Sequence, residues 1–222
     1  MNEVKLVIFD MAGTTVNDGG EVADAFNSAL KDHGLTATPR QLAEVRGRSK
    51  RQAVLHFIPE GPDRNRRAEA VYASFCGHLE RRYRTDGVQP VAGAERVFQR
   101  LREQGVRVAL TTGFDREITG LLLEALHWKE GVADAVICGD DVKQGRPAPY
   151  LIFHAMEATG AVDVRQVANV GDTVSDLRSA RNAGVGWNVG VLSGAHDRRQ
   201  LEEAPHTHIV PSIAGLFDRV FV

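Results

Sequence analysis

The first apolar run, VKLVIF at positions 4–9, is broken only by Lys5 and ends on an acid, Asp10. It is short and rich in β-branched residues, so it predicts a buried strand, with the GTT at 13–15 as the turn that follows. After VNDGG (16–20), whose glycines mark a hinge, the spacing becomes helical. Four helical pieces are expected: EVADAFNSALKDHG (21–34), PRQLAEVRG (39–47), KRQAVLHFI (50–58) and NRRAEAVYASFCGHLERRY (65–83), punctuated by Gly34, Pro39, Pro59, Gly61 and Pro62. TDGVQPVAG (85–93) reads as a second hinge.

Beyond it, helices and strands alternate. GAERVFQRLREQG predicts an amphipathic helix with a glycine stop, VRVALTT a strand, REITGLLLEAL a helix and DAVICGDD a strand. PAPYLIFHAMEATG predicts a helix that begins near its prolines, RQVANVGDT a strand, SDLRSARNAG a helix, and GWNVGVLSG and HTHIVPSI the last strands. Strand–helix alternation points to an α/β fold with a Rossmann-like, doubly wound parallel sheet covered on both faces. The helical insert after the first strand reads as a cap over the sheet's C-terminal edge. The expected division is a catalytic core at 1–17 and 88–222 and a helical cap at 18–87.

Composition narrows the functions. The chain has 222 residues, enough for one core and a smaller insert, with 43% hydrophobic and 25% charged residues. A formal net charge of -2 gives no global case for binding nucleic acid or an anionic membrane. The two cysteines, Cys76 and Cys138, belong to no zinc-type spacing and lie far apart, which fits a reducing cytoplasm. No apolar run approaches a membrane span, and the N-terminal run is too short for a signal peptide.

Chemistry-bearing residues follow the strands. Asp10 follows KLVIF, Thr111 and Thr112 follow VRVAL, and Asp172 follows QVANVG with Asp176 one helical turn later. Arg146 stands in GRPAP before a helix. In a parallel sheet these groups converge on one rim, where open α/β folds bind ligands. Carboxylates, hydroxyls and one fixed cation suit phosphoryl transfer: a carboxylate attacks phosphorus, a hard cation screens the repulsion, and donors hold the oxygens. Taken singly, each motif is also an ordinary turn or cap: Asp10 in a turn, Asp172 and Asp176 as turn residue and N-cap.

The order and spacing of DMAGTTV, TTGFDRE, GRPAP and VGDTVSD resemble the haloacid dehalogenase superfamily, and within it the phosphonoacetaldehyde hydrolases (phosphonatases) and their relatives. That resemblance implies Asp10 as nucleophile and Mg²⁺ held by Asp10, the Ala12 carbonyl and Asp172, with Asp176 behind them. Thr111 and Arg146 become catalytic, and Thr112, Gly13, Arg46 and Gly47 join the phosphate- and substrate-binding set. It also implies a small-molecule phosphonate as substrate and a homodimer formed through the cap.

Most of the superfamily carries a second acid two residues after the nucleophile, where this chain has Ala12. A positioned acid or base contributes on the order of 10²–10⁴ in rate, so an ester phosphatase lacking it is crippled. A carbon leaving group needs no such acid if its electrons enter an iminium. Lys50, in EVRGRSKRQAVLHF, matches the Schiff-base lysine of phosphonatases, and Arg46, Arg48 and Arg51 around it are expected to lower its pKa. Two rivals stand beside this reading: a phosphatase of small phosphate monoesters with Lys50 as phosphate clamp, and a catalytically weak binding protein. The chain departs from phosphonatases at Ala53, where they have histidine, at Arg46, Phe114 and Gly20, so a substituted 2-oxoalkylphosphonate is an alternative substrate. His56, one helical turn past Ala53, is the nearest replacement for that histidine, or an exposed helix residue.

Overall fold

The computed structural model describes residues 3–45 and 49–221. Along the chain run β1 (Leu6–Asp10), α1 (Glu21–Asp32), α2 (Pro39–Glu44), α3 (Lys50–Phe57), α4 (Arg64–Asp86), α5 (Ala94–Glu103), β2 (Arg107–Thr111), α6 (Arg116–Ala125) and β3 (Ala135–Ile137). Then come α7 (Tyr150–Thr159), β4 (Val167–Gly171), α8 (Val174–Ala183), β5 (Trp187–Val191), α9 (Arg198–Glu202), β6 (His208–Val210) and α10 (Leu216–Arg219). All six strands are parallel, in the order β3-β2-β1-β4-β5-β6.

The central strand explains the fold. Every residue of β1 is buried, because β1 pairs with β2 on one side and β4 on the other. Its side chains alternate between faces. Val7 and Phe9 enter one apolar cluster with Val108, Leu110, Phe98 and Leu101, while Leu6 and Ile8 enter a second with Leu151, Ile152 and Ala155. Strand order reverses between β1 and β4, which makes the carboxyl ends of these two strands the crevice where such sheets bind ligands.

Helices α1–α4 lie between β1 and α5 in the chain. The first apolar cluster continues from the sheet into them through Phe26, Val54, Phe75 and Leu79. Phe75 meets Phe26 edge-on at 5.9 Å and stacks on Phe114, from the loop after β2, at 6.4 Å and 23°. The outgoing and returning segments run side by side. The Asn17 amide donates to the Gln89 carbonyl and the Val91 amide to the Thr15 carbonyl, each at 2.9 Å, and Val16 bridges Pro90 antiparallel.

Sequence and structure part company at a few ends. The helix expected from Pro147 starts only at Tyr150, since Pro149 disfavours helical backbone at Ala148. The strand expected through Asp141 stops at Ile137, where the Cys138 amide turns to donate to the Asp141 carboxylate at 2.7 Å. The short helices α9 and α10 were not expected, being too brief to carry periodicity. Among the described residues, no helix is long and apolar enough to cross a membrane. Phe75→Ala is expected to cost about 3–5 kcal/mol of stability, read by urea denaturation, because a fully buried ring shared by sheet-side and helical residues is lost.

Candidate active site

The sheet's carboxyl edge assembles the polar groups. Asp10 closes β1 and Thr111 closes β2, and the two are paired in register. Arg146, from the connection between β3 and α7, reaches across both: Nη1 donates to Asp10 Oδ1 at 2.6 Å and Nη2 to Thr111 Oγ1 at 2.7 Å. Its Nε lies 2.9 Å from Asp176 Oδ1, a contact of charge that does not complete a hydrogen bond at that oxygen. Asp172, the residue after β4, accepts from Thr14 Oγ1 at 3.1 Å and from the Ala195 amide at 2.7 Å. Asp176 is fixed by a reciprocal capping box with Thr173 at the start of α8.

Glycine makes room for this crowding. Gly13 has φ 88°, and a Cβ there would sit 2.5 Å from Asp172 Oδ2; Gly194 abuts the same oxygen. A left-handed, side-chain-free position is thus required where the turn passes Asp172. The turn is closed by amides of Thr14, Thr15 and Val16 donating to the Met11 carbonyl and by the Gly13 amide donating to the Val16 carbonyl. Among the described residues, no backbone amide of this turn uses the Ala12 carbonyl.

The helical residues close the crevice from above. The Lys50 amide, at the start of α3, donates to the Gly113 carbonyl at 3.2 Å, and Gly145 lies so near Ser49 that an added Cβ would meet the Ser49 Cβ at 3.0 Å. Lys50 Nζ lies 5.6 Å from the centroid of the Phe114 ring. Lys50, Asp10, Asp18, Arg146, Asp172 and Asp176 border one cavity of about 260 Å³, with Thr112 and Thr173 beside them and apolar walls of Val22, Ala23, Phe26, Leu42, Val45, Ala53 and Phe114.

A model of the haloacid dehalogenase-like hydrolases matches residues 4–184. The chain belongs to this family of hydrolases. It is 32% identical to a phosphonoacetaldehyde hydrolase of Bacteroides fragilis over 235 residues, covering 99% of this chain and 87% of that protein. A phosphonoacetaldehyde hydrolase of Parabacteroides distasonis is 30% identical, with 91% and 81% covered. The fold is that of a hydrolase from Pseudomonas syringae, with a TM-score of 0.86 at 21% identity over 98% of each chain.

In this haloacid dehalogenase-like hydrolase, charge is unevenly balanced at the rim. Asp10, Asp172 and Asp176 each offer an oxygen, all within 4.8 Å of one another, and all three side chains are buried. Burial pushes the Asp10 carboxyl well above its ordinary range; Asp176 and Asp172 push the same way and Arg146 opposes them. Burial and Asp176 raise Asp172 to about 7. Arg146 loses solvation too, yet Asp176 and Asp10 outweigh that loss and raise its pKa. One guanidinium faces three carboxylates, and an all-oxygen set with surplus negative charge fits a hard divalent cation.

Lys50 is shifted the other way. Burial lowers its pKa, Asp10 and Asp18 resist, and Arg146 adds to the lowering. Of the arginines expected to act on it, Arg51 is turned to Glu69 and Asp115 and stacks on Tyr72 at 4.2 Å, while Arg46 and Arg48 lie outside the described residues. The depression comes from the apolar cavity rather than from Arg51.

The structure therefore brings together Asp10, Ala12, Lys50, Thr112, Arg146, Asp172 and Asp176 around one cavity. Thr111 sits behind, its hydroxyl between Arg146 and the Phe9 carbonyl, and Gly13 packs under Asp172. Gly47 joins Arg46 outside the described residues. His56 is exposed and borders a different groove, with Arg40, Pro147 and Arg178. Sequence reasoning missed Thr14, Gly194, Ala195 and Asp18. The rule that loops after parallel strands carry the site, applied to the loop after β5, would have pointed to Gly194 and Ala195.

The shifted carboxyls have a pH signature. Between the ordinary aspartate value of ~4 and the raised value of about 7 for Asp172, the folded state holds protons that the unfolded chain has released. Stability of the metal-free protein is therefore expected to fall as pH rises through this window, by up to ~1.4 kcal/mol per pH unit for each proton so held. Added Mg²⁺ is expected to flatten the fall in thermal melts, since it favours the ionised forms.

Proposed function

We propose that the protein hydrolyses the C–P bond of phosphonoacetaldehyde or a related 2-oxoalkylphosphonate, with Asp10 as nucleophile and Lys50 as the amine that activates carbon. The observation that carries this reading is that Lys50 and Asp10 border one cavity while Ala12 stands where an ester phosphatase needs an acid. The names of the 30–32% identical relatives support the same substrate class. Residues 18–87 serve as a cap over a catalytic core of 1–17 and 88–222.

The apolar wall around Lys50 favours its neutral, nucleophilic form. The amine condenses with the substrate carbonyl to an iminium. Asp10 attacks phosphorus, and the C–P bonding pair flows into the iminium to leave a neutral enamine and a phosphorylated Asp10. Protonation and hydrolysis of the enamine release the aldehyde, and water releases phosphate from Asp10. Arg146 and Thr112, on the walls of the same cavity, hold phosphoryl oxygens, and Thr111 keeps Arg146 in line. Asp10, the Ala12 carbonyl and Asp172 would hold Mg²⁺, with Asp176 behind them; the ion supplies charge neutralisation on the phosphoryl group.

Phosphate release from phosphonoacetaldehyde is the direct test. Lys50→Arg is expected to lower it by at least ~10², and borohydride with substrate present is expected to label Lys50 and inactivate the wild type. Equal release by Lys50→Arg rejects the imine. The pH midpoint of trapping is expected well below that of free lysine, and a midpoint near ~10.4 would remove the burial argument.

A further inference from the structure

Imine formation needs a group that carries protons between nitrogen and oxygen, and the cavity offers few. Its ionisable lining, among the described residues, is Asp10, Asp18, Lys50, Arg146, Asp172 and Asp176. Asp10, Asp172 and Asp176 are committed to phosphorus, cation and Arg146, and Arg146 is a fixed cation. Ala53, one turn along α3 from Lys50, is apolar, and His56 lies on another groove. Asp18 alone remains.

Asp18 is well placed. It sits in the segment between β1 and α1, half-buried, and borders the cavity that holds Lys50. Its Oδ1 accepts from the amides of Gly20 at 3.0 Å and Val22 at 3.4 Å, which fixes the carboxylate at the head of α1; Oδ2 takes no part in that cap. After Asp10, it is the carboxylate that acts most strongly on the Lys50 ammonium.

We propose that Asp18 is the proton-transfer group for imine formation at Lys50, an inference that rests on the C–P hydrolase reading. The Lys50 nitrogen bonds to the carbonyl carbon as the C=O π pair moves to oxygen. Asp18 takes one proton from nitrogen and passes it to that oxygen. A second proton, from solvent, completes the leaving water as the C–O bond breaks and the nitrogen pair closes C=N. Nitrogen keeps its other hydrogen, so the iminium carries one positive charge, and Asp18 ends as it began.

The test is the rate of borohydride trapping of Lys50 with phosphonoacetaldehyde, in the Mg²⁺-loaded protein, beside its melting temperature. Asp18→Asn keeps an acceptor for the Gly20 and Val22 amides but cannot carry a proton. It is expected to trap more slowly by on the order of 10²-fold at an unchanged melting temperature, and added formate is expected to restore part of the rate. Trapping within threefold of wild type, or a loss that formate does not relieve, overturns the proposal. If the amide variant does not fold, Asp18→Ser, which also offers the helix an acceptor, gives the same readout. Should the wild type itself show no trapping, the C–P reading fails instead, and with a different signature.

Discussion

One buried guanidinium organises the rim. Arg146 spans Asp10, Thr111 and Asp176, and so ties the ends of β1 and β2 to the start of α8. Without that cation, three carboxylates would share a site that solvent scarcely reaches, at a cost of several kcal/mol for each unpaired charge. With it, the site keeps surplus negative charge, which is the state that calls for a divalent ion. The parallel sheet makes this possible, because only adjacent parallel strands end side by side with their carboxyl groups pointing into one crevice.

The two halves of the cavity impose opposite conditions. On the sheet side, hydrogen bonds from Thr14, Ala195 and Thr173 stabilise ionised oxygens. On the helical side, Phe26, Leu42, Val45 and Ala53, joined by Phe114 from the loop after β2, withhold solvent from a lysine. An ionised carboxylate and a neutral amine ask for opposite surroundings, since burial disfavours the charge of the first and favours the neutrality of the second. A polar floor and an apolar roof meet in the one cavity, each favouring a different charge state.

Much of this was legible in the chain. The strand ending on Asp10, the alternation after position 93 and the four strand-end motifs each rest on strong local signals, and the sheet places them as periodicity implies. What escaped the sequence was of a different kind. Gly194 and Ala195 act through backbone at a loop whose residues carry no reactive side chain. Arg51 looked like a neighbour of Lys50, but adjacent helix positions point apart, and Tyr72, Glu69 and Asp115 claim it. Asp18 was hidden in a hinge, where an acid beside two glycines reads as turn chemistry.

The main-chain bond from the Lys50 amide to the Gly113 carbonyl has a bearing on reach. A lysine has four flexible methylene joints, and left to itself its tip wanders. Here the root of the side chain is pinned to the loop that also carries Thr112, so the reach of the amine across the cavity is gauged from the same loop as that hydroxyl.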